Sequence, residues 1–150
     1  MTMKIKLDDG AIMPTRAHPT DAGLDLYSME DKKVPAHGSA VFDTGVHIEL
    51  PKIRLDMGFI PEDFMTVGLI KSKSGLNVHH NIVSEGVIDV GYTGSIRVKL
   101  YNHGNVSYAV NRGDKISQLV ILPILTPTLK LVDSLSESER GDGGFGSTGK

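Results

Sequence analysis

Cysteine is absent from the 150-residue chain, which excludes disulfide staples, thiolate zinc sites and cysteine nucleophiles and makes a reducing compartment the simplest expectation. Long hydrophobic runs are missing too: no uninterrupted apolar stretch approaches the roughly 20 residues that cross a bilayer, so no membrane partner is expected. Neither sign of charge dominates. Lys+Arg of 16 against Asp+Glu of 18 leaves a formal net charge of -2, and a chain without a basic field cannot hold duplex nucleic acid electrostatically. Local charge remains enough for a small anionic ligand. The opening MTMKIKLDDG lacks the apolar core of a signal peptide, so the expected location is the cytoplasm, or a host cell's cytoplasm for a viral source. None of His18, His37, His47, His79, His80 and His103 has the helical spacing and acidic partner of a zinc site, and all are read as ordinary surface or loop residues.

What is present points to β-structure. A chain of 150 residues can bury one sizeable core, hence one domain. Glycine (17) and proline (7) are scattered, and the apolar residues between them fall in short runs: Ala40 to Phe42, Val46 to Leu50, Phe64 to Ile70, Ser95 to Tyr101, Val106 to Val110 and Ile116 to Ile124. Within Ser95 to Tyr101, Ile96, Val98 and Leu100 alternate with Arg97 and Lys99, as a half-buried strand requires. Turn signals such as Asn102-His103-Gly104-Asn105 and Asn111-Arg112-Gly113-Asp114 separate these runs. Many short strands at such spacing imply an all-β sandwich or jelly roll. The best helical candidate, Lys71 to His80, is weakened by an internal Ser-Gly. From about Ser134 the composition turns to Ser, Glu and Gly, dividing the chain into a core over residues 1–134 and a flexible tail over 135–150.

Three segments carry chemistry. In the tail, Phe145 stands among Gly143, Gly144 and Gly146. It is either a peg that docks the tail or part of a lid, stacking on a flat ring while backbone N–H groups and the Ser147 and Thr148 hydroxyls hold phosphate and Arg140 adds a charged fork. The same residues imitate a Walker A loop lacking its final Ser/Thr, but no helix can follow Lys150, so that fold is rejected. The second segment, GVIDVGYTGSIRVKL, predicts a β-hairpin around Gly91-Tyr92-Thr93-Gly94 with Asp89 on its apolar arm. An Asp there is by default a structural acceptor, and Tyr92 a packed aromatic with its hydroxyl in solvent. The third, Leu69 to Leu76, ends a strand in Lys71, Ser72, Lys73, Ser74 and Gly75, either a solvated loop or a polyphosphate contact.

Taken together, five short segments resemble, in order, the motifs of the homotrimeric dUTPase family: Asp21 to Leu26, Ser72 to Leu76, Gly86 to Asp89 with Tyr92 and Gly94, Arg112 to Leu119, and Arg140 to Gly149. The resemblance implies a jelly-roll homotrimer with sites shared between subunits. It also implies hydrolysis of dUTP to dUMP and pyrophosphate, which keeps uracil out of DNA and supplies dUMP for dTMP synthesis. By similarity Asp89 deprotonates the water that attacks the α-phosphorus. Tyr92 packs under the deoxyribose, and the backbone of Gly86, Val87 and Ile88 reads the uracil edge. Lys73, Ser74, Gly75 and Gln118 are implied at the phosphates, and Arg140, Phe145, Gly146, Ser147 and Thr148 as a lid from another subunit. The cofactor is Mg²⁺ chelated by triphosphate oxygens and water, with no direct protein ligand and Asp25 in the polar network near it.

Such a carboxylate need not be strongly basic if Mg²⁺ and cations stabilise the developing phosphate charge. Three departures stand out: Lys73 where the family usually has Arg, Gly91 where Asp is frequent, and a longer Leu50 to Val67 connection. Two other classes share features of this reading: a dCTP deaminase on a similar jelly roll, and a nucleotide-sensing module without turnover. The complete Gly-Phe-Gly-Ser-Thr lid beside Gly-Val-Ile-Asp disfavours the deaminase.

Overall fold

The computed structural model describes residues 2–54, 63–139 and 141. In chain order the elements are β1 (Lys4–Leu7), β2 (Gly23–Tyr27), β3 (Lys32–Val34), β4 (Ser39–Asp43), β5 (Val46–Glu49), β6 (Ile53–Arg54), β7 (Asp63–Lys71), α1 (Ser74–His80), β8 (Ile82–Ile88), β9 (Arg97–Asn102), β10 (Tyr108–Val110) and β11 (Lys115–Ile124). The fold is the expected all-β jelly roll. Its principal sheet runs β2-β11-β7-β8-β9-β4, β6 pairs with β7, and β1-β5 and β10-β3 form two-stranded ribbons. Every ladder pair is antiparallel.

Period-two patterning builds this arrangement. In β9, Val98 and Leu100 are fully buried while Arg97, Lys99 and Tyr101 face out, and Ile96 just before it is also buried. These residues meet Leu26, Val34, Phe42, Val46, Ile70, Ile82, Ile116 and Leu119 in one core. Phe42 is fully buried, so its truncation to Ala would cost about 3–5 kcal/mol. Buried Asn102 ties the β9-β10 connection down: its amide donates to the carbonyls of Val34 (3.2 Å) and Val106 (2.8 Å) and its Oδ1 accepts from Gly104 N–H.

The structure departs from the sequence-based expectations in three places. Ser74–His80 does form a helix, because Asn81 closes its C-terminus in the left-handed region (φ 56°), the His80 ring lies 4.8 Å from that of Tyr108, and Leu76 is half-buried against the core. Val106 and Ser107 stay outside β10. His47 sits inside β5, half-buried and hydrogen-bonded, and so is neither a loop nor an ordinary surface residue, whereas His79 and His80 are surface residues as expected, on α1. The connection between β6 and β7 lies outside the described residues.

Candidate active site

The expected hairpin exists only at its base, and that difference creates a cavity. β8 pairs with β9 over Ile82, Val83 and Ser84, then continues beside β7 alone, with Glu85, Gly86, Val87 and Ile88 opposite Lys71, Ile70, Leu69 and Gly68. The returning strand is drawn away. Ile96 N–H donates to the Val46 carbonyl (2.8 Å), and the Thr44 N–H and hydroxyl both donate to the Ile96 carbonyl (3.2 and 2.7 Å). The arms therefore splay around a cavity of about 220 Å³, lined by Ile70, Gly86, Val87, Ile88, Asp89, Tyr92, Ile96 and Arg97. Past Ser84, the β9-facing edge of β8 has no strand partner among the described residues, which leaves peptide groups able to read a planar polar edge.

Asp89 follows the last residue of β8 and its side chain is exposed at the mouth of this cavity. Tyr92 N–H donates to the Asp89 carbonyl (3.1 Å) across a turn in which Gly91 has φ 95°, a backbone region that L side chains rarely adopt. Gly91 is thus suited to this turn as it stands. The Tyr92 hydroxyl is not left to solvent: it donates to the Ser95 carbonyl (2.9 Å), while the ring stays 47% exposed and offers a flat face.

A second, cationic cluster gathers residues from four segments. Asp25 of β2 accepts from Lys73, which caps α1, at 2.5 Å on Oδ1 and from Lys115 of β11 at 2.8 Å on Oδ2. A bulge between Lys115 and Ser117 advances the β11-β2 register by one residue, so Gln118 instead of Ser117 stands opposite Asp25. Gly23 makes room for that amide, since a Cβ there would fall 2.2 Å from Gln118 Oε1. Gln118 Nε2 donates to the Ser72 carbonyl (3.1 Å). Below it runs a chain of hydroxyls. Ser117 donates to the Lys71 carbonyl (2.8 Å) and contacts Ser84 (2.8 Å), and Ser72 donates to the Ser84 carbonyl while accepting Ser84 N–H. The backbone that presents Lys73, Ser74 and Gly75 is held by these bonds, and Ser74 and Gly75 are exposed at the start of the helix.

The charges reinforce one another. Burial raises the Asp25 pKa, but the hydrogen bonds and positive charges of Lys115 and Lys73 outweigh it and hold the carboxyl below the usual carboxylate range. Lys115 is pushed up, first by its hydrogen bond to Asp25 and then by that carboxylate's charge. Asp25 thus stays ionised and Lys115 stays charged at neutral pH, and with the Lys73 ammonium paired to the same carboxylate they form a local basic site on a chain of slight negative charge.

Within one chain the two clusters stand apart. Asp89 lies beyond Ile88, the partner of Gly68, whereas Gln118 partners Lys71; those rows are three residues, roughly 10 Å, apart on β7, with Asp89 and Lys73 farther out at either end. Arg140, Phe145, Gly146, Ser147 and Thr148 lie outside the described residues. The sequence assigned no individual role to Lys115, Ser84 or Ser117, and it offered Ser72 only as a loop or polyphosphate contact, not as the backbone tie that the structure shows. A cation two positions after the Gly113 turn was a visible signal for Lys115, but the hydroxyl chain had none, because Ser84 of β8, Ser117 of β11 and Ser72 just after β7 meet only through strand pairing.

The dUTPase family model matches residues 9–149. A deoxyuridine 5'-triphosphate nucleotidohydrolase of Clostridium acetobutylicum is 44% identical over 153 aligned residues, covering 99% of this chain and 97% of that protein. The dUTPase of Staphylococcus bacteriophage 80alpha, solved with dUPNHPP, superposes with a TM-score of 0.85 at 34% identity and 99% coverage of both chains. A dUTPase from phage phi11 of S. aureus, whose structure reveals the coordination of a structural Mg(II) ion, superposes at 0.74 with 31% identity, covering 89% of this chain and 98% of that one. With a full-length family match, relatives above two-fifths identity and a shared jelly roll, the chain belongs to the dUTPase family.

Proposed function

We propose that this chain hydrolyses dUTP to dUMP and pyrophosphate, with Asp89 as the general base. The observation that carries the reading is the splayed β8 edge: a cavity along one wall of which the peptide groups have no strand partner among the described residues, with an exposed aromatic at Tyr92 and an exposed carboxylate at its mouth. Backbone groups of Gly86, Val87 and Ile88 read the uracil edge. A cytosine would leave them facing wrong partners at about 1–3 kcal/mol each. Tyr92 packs under the deoxyribose. Asp89 takes a proton from a water whose oxygen bonds to the α-phosphorus; the bond from that phosphorus to the α,β-bridging oxygen breaks, and pyrophosphate leaves with the electron pair.

Lys73, Lys115, Ser74, Gly75 and Gln118 receive the phosphates, the lysines aligned by Asp25. Magnesium bound with the triphosphate would neutralise charge on its oxygens. Both oxygens of Asp25 already accept from lysines, which fits contact with a hydrated ion through water and not direct ligation.

The complete site is assembled between subunits of a homotrimer. Two observations support this: the cationic cluster and Asp89 lie far apart along β7 in one chain, and the arm after β11 exposes Leu125, Leu129, Leu131 and Leu135 at 68, 92, 99 and 86%. Residues 135–150 act as a lid on a core over residues 1–134, bringing Arg140, Phe145, Gly146, Ser147 and Thr148 to the nucleotide. Among the described residues no helix is long and apolar enough to cross a membrane.

The test is pyrophosphate release from dUTP, the common deoxynucleoside triphosphates and UTP, with and without Mg²⁺. Release from dUTP alone, dependent on Mg²⁺, is expected. Ammonia release from dCTP would establish the deaminase, and dUTP binding without turnover would establish a sensing module.

A further inference from the structure

His47 of β5 lies between the substrate hairpin and the end of β1. Its Nδ1 is 2.8 Å from the Thr93 carbonyl oxygen, and its Nε2 is 3.1 Å from both carboxylate oxygens of Asp8. Both partners can only accept. A neutral imidazole carries one N–H and satisfies one of them, leaving its other nitrogen's lone pair facing oxygen; imidazolium alone donates to both. Thr93 directly follows Tyr92. On the other side of the tip, Ser95 Oγ donates to Asp43, and the Tyr92 hydroxyl rests on the Ser95 carbonyl. The tip thus has two footings, His47 at Thr93 and Asp43 at Ser95.

We propose that His47 is a positioning residue which, as imidazolium, clamps the Thr93 carbonyl to the β1-β5 ribbon and so holds Tyr92 in place against the bound deoxyribose. The functional consequence rests on the dUTP reading above; the clamp itself does not. Nucleotide affinity then becomes sensitive to pH at a group that touches no substrate.

The groups facing the ring account for the direction. Lys6 stands opposite His47 in the β1-β5 register and approaches Asp8 at 3.9 Å; Lys4 and Glu49, the next pair on this face, bind each other at 3.0 Å; the hairpin presents the Thr93 carbonyl. The Thr93 hydrogen bond and then the Asp8 hydrogen bond raise the His47 pKa, against partial burial and the Lys6 charge. At the second footing, burial raises the Asp43 pKa, but the bonds from Ser95 and Gly45, the Arg97 charge and the Thr44 N–H outweigh it and keep that carboxylate ionised. Only the His47 footing therefore titrates near neutrality. With its pKa raised in the folded state, the clamp is complete below the ordinary histidine value and is lost as pH rises through the raised one.

Two measurements on the full-length protein test this. The first is ¹⁵N NMR of the His47 ring and of the Tyr92, Thr93 and Gly94 amides through a pH titration without nucleotide. Protons on both ring nitrogens, a midpoint above the ordinary value, and hairpin amides that shift with the same midpoint are expected. A ring that titrates at or below about 6.5, or amides that ignore it, would overturn the clamp. The second compares His47→Gln with the wild type for dUTP hydrolysis. The wild type should have a KM about fivefold lower than the variant near pH 6 with kcat little changed, and this advantage should vanish near pH 8.5. The γ-phosphate's own titration cancels in the ratio. A ratio flat across that range would overturn the proposal. A protein that ignores dUTP while its hairpin amides still follow the ring would sink the nucleotide reading and leave the clamp intact.

Discussion

The Lys73 ammonium lies 2.5 Å from Oδ1 of Asp25, across 48 residues of sequence, and Lys115 occupies the other oxygen. Asp25 is nearly buried, so it cannot be neutralised without leaving two cations uncompensated beside each other. Asp25→Asn should raise KM for dUTP by about tenfold or more, because two repelling lysines no longer hold one geometry. Its carboxyl is depressed in the folded state, so its stabilisation is present above the unfolded-state value and lost as pH falls through the lowered one. Melting temperatures followed downward from neutral pH should fall less steeply in the variant. Equal slopes would show that Asp25 contributes nothing to acid lability.

Asp89→Asn is near-isosteric but cannot accept the proton. The exposed position predicts an unchanged fold, dUPNHPP affinity within about twofold, and kcat lower by about 10²–10⁴-fold. Calorimetric binding beside steady-state kinetics separates the two effects. A merely severalfold loss of kcat would mark Asp89 as structural.

Tyr92 presents a half-exposed ring whose hydroxyl is tied back to Ser95. Tyr92→Ala should therefore lower kcat/KM for dUTP and narrow its advantage over UTP, since the wall that excludes a 2′-hydroxyl is gone. Parallel assays on the two nucleotides give the ratio directly. An unchanged ratio would remove Tyr92 from sugar selection.

The tail prediction joins folding, catalysis and assembly. Arg140 to Lys150 contains one large apolar residue, Phe145, so its deletion should leave the melting temperature nearly unchanged while activity falls sharply. If the lid closes over a neighbouring subunit, co-refolding the deletion with full-length Asp89→Asn should restore activity that neither parent has. Native mass spectrometry verifies the mixed trimers. Verified mixed trimers no more active than the parents would exclude a lid working in trans.

Local pattern alone was enough for β9 and β11. Alternation in Ile96, Arg97, Val98, Lys99 and Leu100 can bury only one face of a strand, and the apolar run of β11 marks a strand that buries Ile116, Ser117 and Leu119 and leaves Leu122 exposed. The motif residues could be named as candidates, because a carboxylate, an aromatic ring and a lysine are properties of residue type. What the chain did not disclose was long-range geometry. The 74–80 helix depends on Asn81 closing it and on Tyr108 packing against His80; the cavity exists because Ile96 pairs with Thr44 and Val46 in place of β8. The Asp25 pair with Lys73 and Lys115, and the reach of His47 to Thr93 and Asp8, depend on a β-bulge and on strand register. A sequence determines which groups are available and which face of a strand they occupy, but a hydrogen bond between residues 39 or more positions apart is decided by register, which only the packed sheet sets.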